Sequence, residues 1–271
     1  MGQSMKRRVW GCAIVVAALG APMARAQVDA TPAFDVASIR PTSSSEHDRT
    51  HIWSSPGDGN FRAQNVSLTD LLEFAFHMPD SRFVGGANKG LLSGPRFDLE
   101  AKSSAAVDEK LKALDSEEAR SVKRKMVQAL LVERFQLKTH METRELPIYQ
   151  LVVAKGGAKS TASKASGTTY NSGRGYLSIE GGDNTVAVMA DNLANVVGRP
   201  VVDETGIKGR YAMKLRWMPD DGPPPQLNGA PDTSLPSIFT AVEEQLGLKL
   251  VSAKGPVQVL VVDRVEMPSA N

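Results

Sequence analysis

Cysteine is nearly absent: Cys12 is the single one in 271 residues. One thiol excludes an internal disulfide framework and any metal site built from several cysteines. Histidine is scarce as well, with four in the chain and no H-E-x-x-H spacing, so the zincin pattern is missing. Aromatic residues make up only 6%, and no basic run is interleaved with them as a single-stranded nucleic-acid platform needs. The glycine-containing stretches Gly57-Asp58-Gly59, Gly85-Gly86 and Gly173-Arg174-Gly175 form neither a P-loop nor a dinucleotide fingerprint. No G-x-S-x-G elbow and no S-x-x-K with a K-T-G partner occurs, which leaves serine catalysis without its usual signatures. With 41% hydrophobic and 23% charged residues, the composition is still that of a folded globular chain.

What is present begins with an export signal. Lys6, Arg7 and Arg8 precede an apolar stretch from Val9 to Gly20, Pro22 breaks it, and Ala24-Arg25-Ala26 supplies an A-x-A pattern before Gln27. Residues 1–26 read as a signal peptide cleaved after Ala26. The alternative, a retained anchor, needs about 20 apolar residues to span a bilayer. Cys12 lies inside the apolar run rather than after it, so it is not placed as a lipidation site. The expected mature chain is exported, periplasmic or extracellular, with no later stretch of membrane-spanning length. The full chain carries 32 basic and 30 acidic residues, a net +2. The leader removes four basic residues and no acid, leaving 28 against 30, or −2. Nothing electrostatic then argues for nucleic acid as a partner.

The patterning predicts an α+β fold. Phe34–Ile39 alternates as a first strand, 41–59 reads as a loop, and Phe61–Val66 as a short strand. Leu68, Leu71, Leu72, Ala75 and Phe76 make one apolar helical face, and Ser67 with Asp70 offers a capping box. A strand is expected over Phe97–Ala101 and a helix over Ser116–Phe135. Two strands, Phe135–His140 and Ile148–Ala154, flank an expected turn at Pro147. Residues 155–175, rich in Gly, Ser, Thr and Lys, read as a flexible linker or long loop. The pattern then restarts: a strand at Tyr176–Ile179, a helix over Thr185–Val197, strands at Pro200–Val202 and Tyr211–Trp217, and a second Pro/Gly-rich loop over 219–236. A helix ending at Gly247 and strands at Leu248–Val251 and Val257–Val262 close the chain. The expected organisation is a signal peptide at 1–26, a first α/β unit at 27–155, a linker at 156–175 and a second unit at 176–271.

This order reads as an internal duplication. Gly94-Pro95-Arg96-Phe97-Asp98-Leu99-Glu100 echoes Gly209-Arg210-Tyr211-Ala212-Met213-Lys214. Leu131 to Lys138 lies beside Val242 to Lys249, and Pro147 to Val153 beside Pro256 to Val262. Alternating strands imply sheets with one buried face, covered by the amphipathic helices. The two units would lie side by side or share one sheet.

The segments Phe34 to Pro41, Val66 to Leu72, Gly94 to Leu99, Leu130 to Phe135, Gly198 to Gly206, Gly209-Arg210-Tyr211 and Val262 to Asn271 together resemble the soil-associated secreted proteins expanded in acidobacteria, a domain family of unknown function. The resemblance covers Phe34 to Asn271. It implies an exported bacterial protein with an extracytoplasmic sensing or interaction role, because in that family the domain also occurs joined to membrane metallopeptidases of the antibiotic-sensor type. It carries no catalytic residues across. Ser237 to Val262 is also similar, in general pattern, to the short N-terminal interaction domain of secretins and TonB-dependent receptors.

The candidate chemistry is thin. His47 and His51 are the metal candidates, with Asp48 or Asp58 as oxygen donors; a solvated polar loop is the competing reading. His77 falls at a helix end, as a cation beside the C-terminal dipole, and His140 at a strand end. Asp203 and Glu204 are paired acids that suit glycoside chemistry or, for Asp203, turn hydrogen bonds. Lys123-Arg124-Lys125 reads as a solvated helix face. No cofactor is implied. The leading expectation is a non-catalytic module binding an envelope protein, a peptide or a wall polymer, by strand addition at a sheet edge or in the crevice between the units. Trp53, Arg199, Asp203, Arg210 and Trp217 are the residues expected around that crevice. The alternative is a hydrolase of cell-wall or extracellular polymer, working through the acids or a His-bound metal.

Overall fold

Ser67 accepts a hydrogen bond from the Asp70 N–H at 3.2 Å, and the Asp70 carboxylate accepts from the Ser67 N–H at 2.7 Å. This closed capping box starts the helix that the apolar spacing predicts. The structure, a computed structural model, describes residues 32–43, 50–85, 89–159, 161–162, 168–181, 185–227 and 230–268. In chain order the first half holds β1 (Val36–Pro41), β2 (His51–Trp53), β3 (Phe61–Val66), α1 (Leu68–Phe76), a 3-10 turn (Asp80–Arg82), β4 (Phe83–Val84), α2 (Lys89–Ser93), β5 (Phe97–Lys102), α3 (Ala105–Ala113), α4 (Ser116–Phe135) and β6 (Lys138–Val153). The second half holds β7 (Thr161–Ala162), β8 (Thr168–Gly173), β9 (Tyr176–Gly181), α5 (Val186–Val197), β10 (Val201–Asp203), β11 (Tyr211–Arg216), β12 (Gln226–Leu227), β13 (Ala230–Pro231), α6 (Ile238–Leu246) and β14 (Leu248–Arg264). The fold is α+β, with mixed sheets covered by helices.

The two halves repeat one wiring. The first sheet runs β1-β5-β3-β2 and the second β7-β11-β9-β8, each antiparallel throughout. In each, the third strand in that order leads into a helix, α1 or α5, and a later helix, α4 or α6, leads into a long strand. Those long strands, β6 and β14, pair antiparallel from Lys138↔Arg264 to Val153↔Leu248. The repeats therefore share a sheet, ordered β10-β6-β14-β4. Its outer strands are exchanged: β4 of the first half pairs with β14, and β10 of the second half with β6, both parallel.

This sharing corrects the strand expectations. Pro147 does not turn the chain, and Gly255-Pro256 does not divide the last strand. Tyr149 donates its N–H outward, to the Pro200 carbonyl at 2.9 Å. Residues two apart on a strand share that direction, so Pro147 lacks an N–H only where β10, which begins pairing at Tyr149, has not yet arrived. Pro256 is placed alike on β14, outside the reach of β4, which pairs at Leu260 and Val261. Proline is tolerated at such open edges.

The long strands also thread both cores. The first core gathers Phe61, Leu68, Leu71, Leu72, Phe97, Val127, Leu131 and Phe135 with Leu260, Val262 and Val265 from the end of the chain. The second gathers Leu177, Met189, Leu193, Met213, Trp217 and Val242 with Leu151 of β6. Ile148, Val257, Val259 and Val261 form a smaller cluster on the shared sheet. Each core thus takes in residues of the other repeat's long strand.

Four local findings depart from the sequence reading. Residues 156–175 carry β7, which pairs with β11, and β8, which pairs with β9, so part of the expected linker is strand. The 41–59 loop contains β2. Helices α2 and α3 were not expected; α3 buries only Leu111 and so shows no stripe. Lys123, expected on a solvated face, is 1% exposed on the buried stripe of α4. Its ammonium donates to the carbonyls of Asp58 and, at 2.7 Å, Asn60.

Candidate functional site

The sequence-chosen residues are distributed over separate places. Trp53 is 47% exposed on β2, stacked on the His51 ring at 5.2 Å and beneath the Arg62 guanidinium. His51 is therefore a strand residue, and His47 with Asp48 lies outside the described residues. Among the described residues no group of three His, Cys, Asp or Glu is arranged to hold a metal. Arg199 lies over the Tyr149 ring at 4.7 Å, and that ring meets Phe239 edge-on. Asp203 accepts from the N–H and hydroxyl of Thr205 at 2.9 and 2.7 Å, the turn geometry that was one of its two readings. Arg210 is exposed in the turn before β11. Trp217, at 7% exposure, belongs to the second core. His140 lies within β6 and contacts Asp263 at 2.9 Å.

A different set of residues converges where the repeats meet. A cleft of about 160 Å³ is lined by Glu73, His77, Met78 and Pro79 from the end of α1 and by Val188, Asp191, Asn192 and Asn195 from α5. None of the five expected crevice residues lines it. The two helices correspond residue by residue. Ser67 caps α1 and Thr185 caps α5, each accepting from the third residue on. Counted from those caps, the buried residues coincide: Leu68 with Val186, Leu71 with Met189, Leu72 with Ala190 and Ala75 with Leu193. Glu73 and Asp191 then occupy the same position, six residues past the cap, and His77 matches Asn195. The repeat supplies one carboxylate from each half.

The 3-10 turn Asp80–Arg82 links them. The Asp80 N–H donates to Glu73 Oε1 at 3.0 Å, and the Arg82 guanidinium meets Asp191 at 3.2 Å. Burial pushes the Glu73 carboxyl up to about 7, against the Asp80 hydrogen bond and with help from the Asp80 and Asp70 charges. The Asn195 side chain acts to lower it. Burial also raises Asp191, opposed by Arg82. His77 is moved the other way: burial and Arg124 lower its pKa, so the neutral ring is favoured rather than the helix-end cation. Ser81 Oγ and Arg82 Nε are buried without a hydrogen-bond partner among the described residues. A cleft holding several titratable groups shifted by burial is the kind of place where ligand or proton chemistry occurs.

A wider groove of about 520 Å³ runs beside α6, past Lys155, Lys159, Phe239, Glu243 and Glu244. It is lined by the residues that follow β6 and by α6 and β14, and it collects exposed charges, with Lys159 already donating to the Glu244 carbonyl at 2.8 Å. The inter-repeat cleft is the better candidate because its polar groups are drawn partly out of water.

A family model described as a protein of unknown function, DUF3738, matches residues 69–265. Neither the curated proteins nor the solved structures gave a match.

Proposed function

The chain belongs to the DUF3738 family, proteins of unknown function, and on that premise we propose that it is an exported, non-catalytic binding or sensing module whose ligand enters the cleft between its two repeats. One observation carries the reading: the duplicated helices present Glu73 and Asp191 from equivalent positions to one small polar cleft. A structural pair would be expected to be buried and mutually satisfied. Here the carboxyls remain partly exposed and flanked by the amides of Asn192 and Asn195. The basic, apolar and A-x-A segments of residues 1–26 support export to the periplasm or beyond. No described helix is long and apolar enough to cross a membrane. The ligand classes open to such a module are a peptide, a wall fragment or a segment of an envelope protein.

The test is an NMR titration of the protein beginning at Gln27 with short peptides and soluble wall fragments. Amide shifts should cluster at the end of α1, the 3-10 turn and α5. Shifts confined to the α6 groove, or none from any compound, would remove the reading.

A second reading, a hydrolase of wall polymer, is favoured by one feature. A carboxyl poised near 7 suits a general acid at neutral pH. Release of soluble fragments from purified wall, abolished in Glu73→Gln while folding is retained, would establish it. The Asp203–Glu204 version has less support, since Asp203 is committed to its turn.

A further inference from the structure

We propose that the cleft binds a primary ammonium group, with Glu73 as its carboxylate partner and a proton released to solvent on binding. This rests on the reading of the cleft as a ligand site and adds the chemical class of the ligand.

The lining offers acceptors. Asn192 donates its side-chain N–H to the Val188 carbonyl at 2.7 Å, which turns its Oδ1 to other use. Asn195 lines the cleft and acts to lower the Glu73 carboxyl. Glu73 itself has Oε1 engaged by the Asp80 N–H and carries a second oxygen. The Arg82 cation is matched by Asp191 at 3.2 Å, and His77 is held toward its neutral form. An anionic ligand would meet two carboxylates. An ammonium donates three hydrogen bonds and supplies the charge that Glu73 lacks. The cleft is small, about 160 Å³, a size that suits an amine and its first substituents.

The proton follows from the surroundings of Glu73. On its own helix stands Asp70, on the 3-10 turn Asp80 and Arg82, and on α5 Asp191. His77 lies at the end of α1, under the influence of Arg120, Arg124 and Glu117 of α4. Asp191 is raised and His77 lowered from their ordinary values, while burial places the Glu73 ionisation near 7. Below that pH the ammonium must displace the Glu73 proton, so ligand–NH₃⁺ and Glu73–COOH become an ion pair plus H⁺. Affinity should fall about tenfold for each pH unit below 7, and fall again above about 8, where the ligand's own amine loses its proton.

The experiment is calorimetry on the protein beginning at Gln27, from pH 5.5 to 8.5, with three probes: trialanine amide with a free N-terminus, the same peptide N-acetylated, and glucosamine. The free-amine peptide, glucosamine or both should bind, and which one does identifies the source of the amine. The acetylated peptide should not bind. Runs in buffers of different ionisation heat should show about one proton released at pH 5.5, and uptake of a proton by the ligand's own amine at pH 8.5. Glu73→Gln should remove the proton release, whereas Asp191→Asn should keep it. Equal binding of the acetylated peptide, a flat pH profile, or no binding by either amine at millimolar concentration overturns the ammonium assignment. In those cases the peptide and wall-fragment titration still decides whether the cleft is a site at all. A ¹³C titration placing Glu73 near 4.5 in the free protein would overturn the proton release alone.

Discussion

Replacing Glu73 by Gln should stabilise the folded protein at pH 8 and do nothing for it at pH 4.5. Gln keeps an oxygen for the Asp80 N–H, which Glu73 accepts at 3.0 Å, and removes only the charge. The folded carboxyl ionises near 7 against an ordinary value of 4.5. Below the unfolded value the group is neutral in both states and the favourable contribution is complete. Between the two values the unfolded chain ionises while the folded protein holds its proton, so stability declines as pH rises. Above the folded value the decline has ended. At about 1.4 kcal/mol for each pH unit between the two values, the ceiling is roughly 3 kcal/mol. Glu73 is only partly buried, and water screens it, so the expected gain is about 1–2 kcal/mol. Urea unfolding of both proteins at several pH values measures this. Taking the difference cancels the titration of His77 and Asp191, which both proteins share. A difference independent of pH, or a wild-type protein that is the more stable at pH 8, would refute the argument.

Lys123→Met should destabilise by about 1–3 kcal/mol in urea unfolding, because the carbonyls of Asp58 and Asn60 lose a buried donor. Gly247→Ala should cost about 2 kcal/mol or more in the same measurement; the residue caps α6 at φ 66, and a Cβ there would overlap the Gly157 carbonyl oxygen. The mature protein recovered from the envelope or medium should begin at Gln27 by intact mass; a mass that includes residues 1–26 would contradict cleavage.

The elements that the sequence showed clearly are those whose signal is local. The stripe and cap of α1, the span of α4 and the Gly247 stop of α6 depend on residues within a few turns of one another, and each is found as expected. The long strands were hidden because Pro147 and Gly255-Pro256 look like turns until the open edges beside them are known. Lys123 departs from expectation for a similar reason. A lysine within Lys-Arg-Lys resembles a solvated run, but its place on the Ala119–Met126–Leu130 stripe and its carbonyl partners some sixty residues away decide otherwise. The cleft leaves no mark in the segments where the repeat is most visible. The matched motifs were the strand-rich ones, whereas the site lies on α1 and α5. Aligning those helices by Ser67 and Thr185 would have placed Glu73 against Asp191.

The duplication gives both repeats the same scaffold without making their sites the same. Asn192 corresponds to Phe74, which packs against the first core instead of lining the cleft, and Asn195 corresponds to His77, so the amides of the cleft come from α5. Arg82, in the turn before β4, pairs with Asp191, while the corresponding approach to β10 holds Pro200. One carboxyl therefore receives a cation and the other a backbone N–H. That difference, imposed on two equivalent positions, accounts for why Asp191 has a charged partner while Glu73 is left to ionise near 7. A homodimer of one repeat would present two identical carboxyls to such a junction. Fusing the repeats into one chain allows them to diverge, and the exchanged strands β4 and β10 keep the helices that carry them in register across the shared sheet.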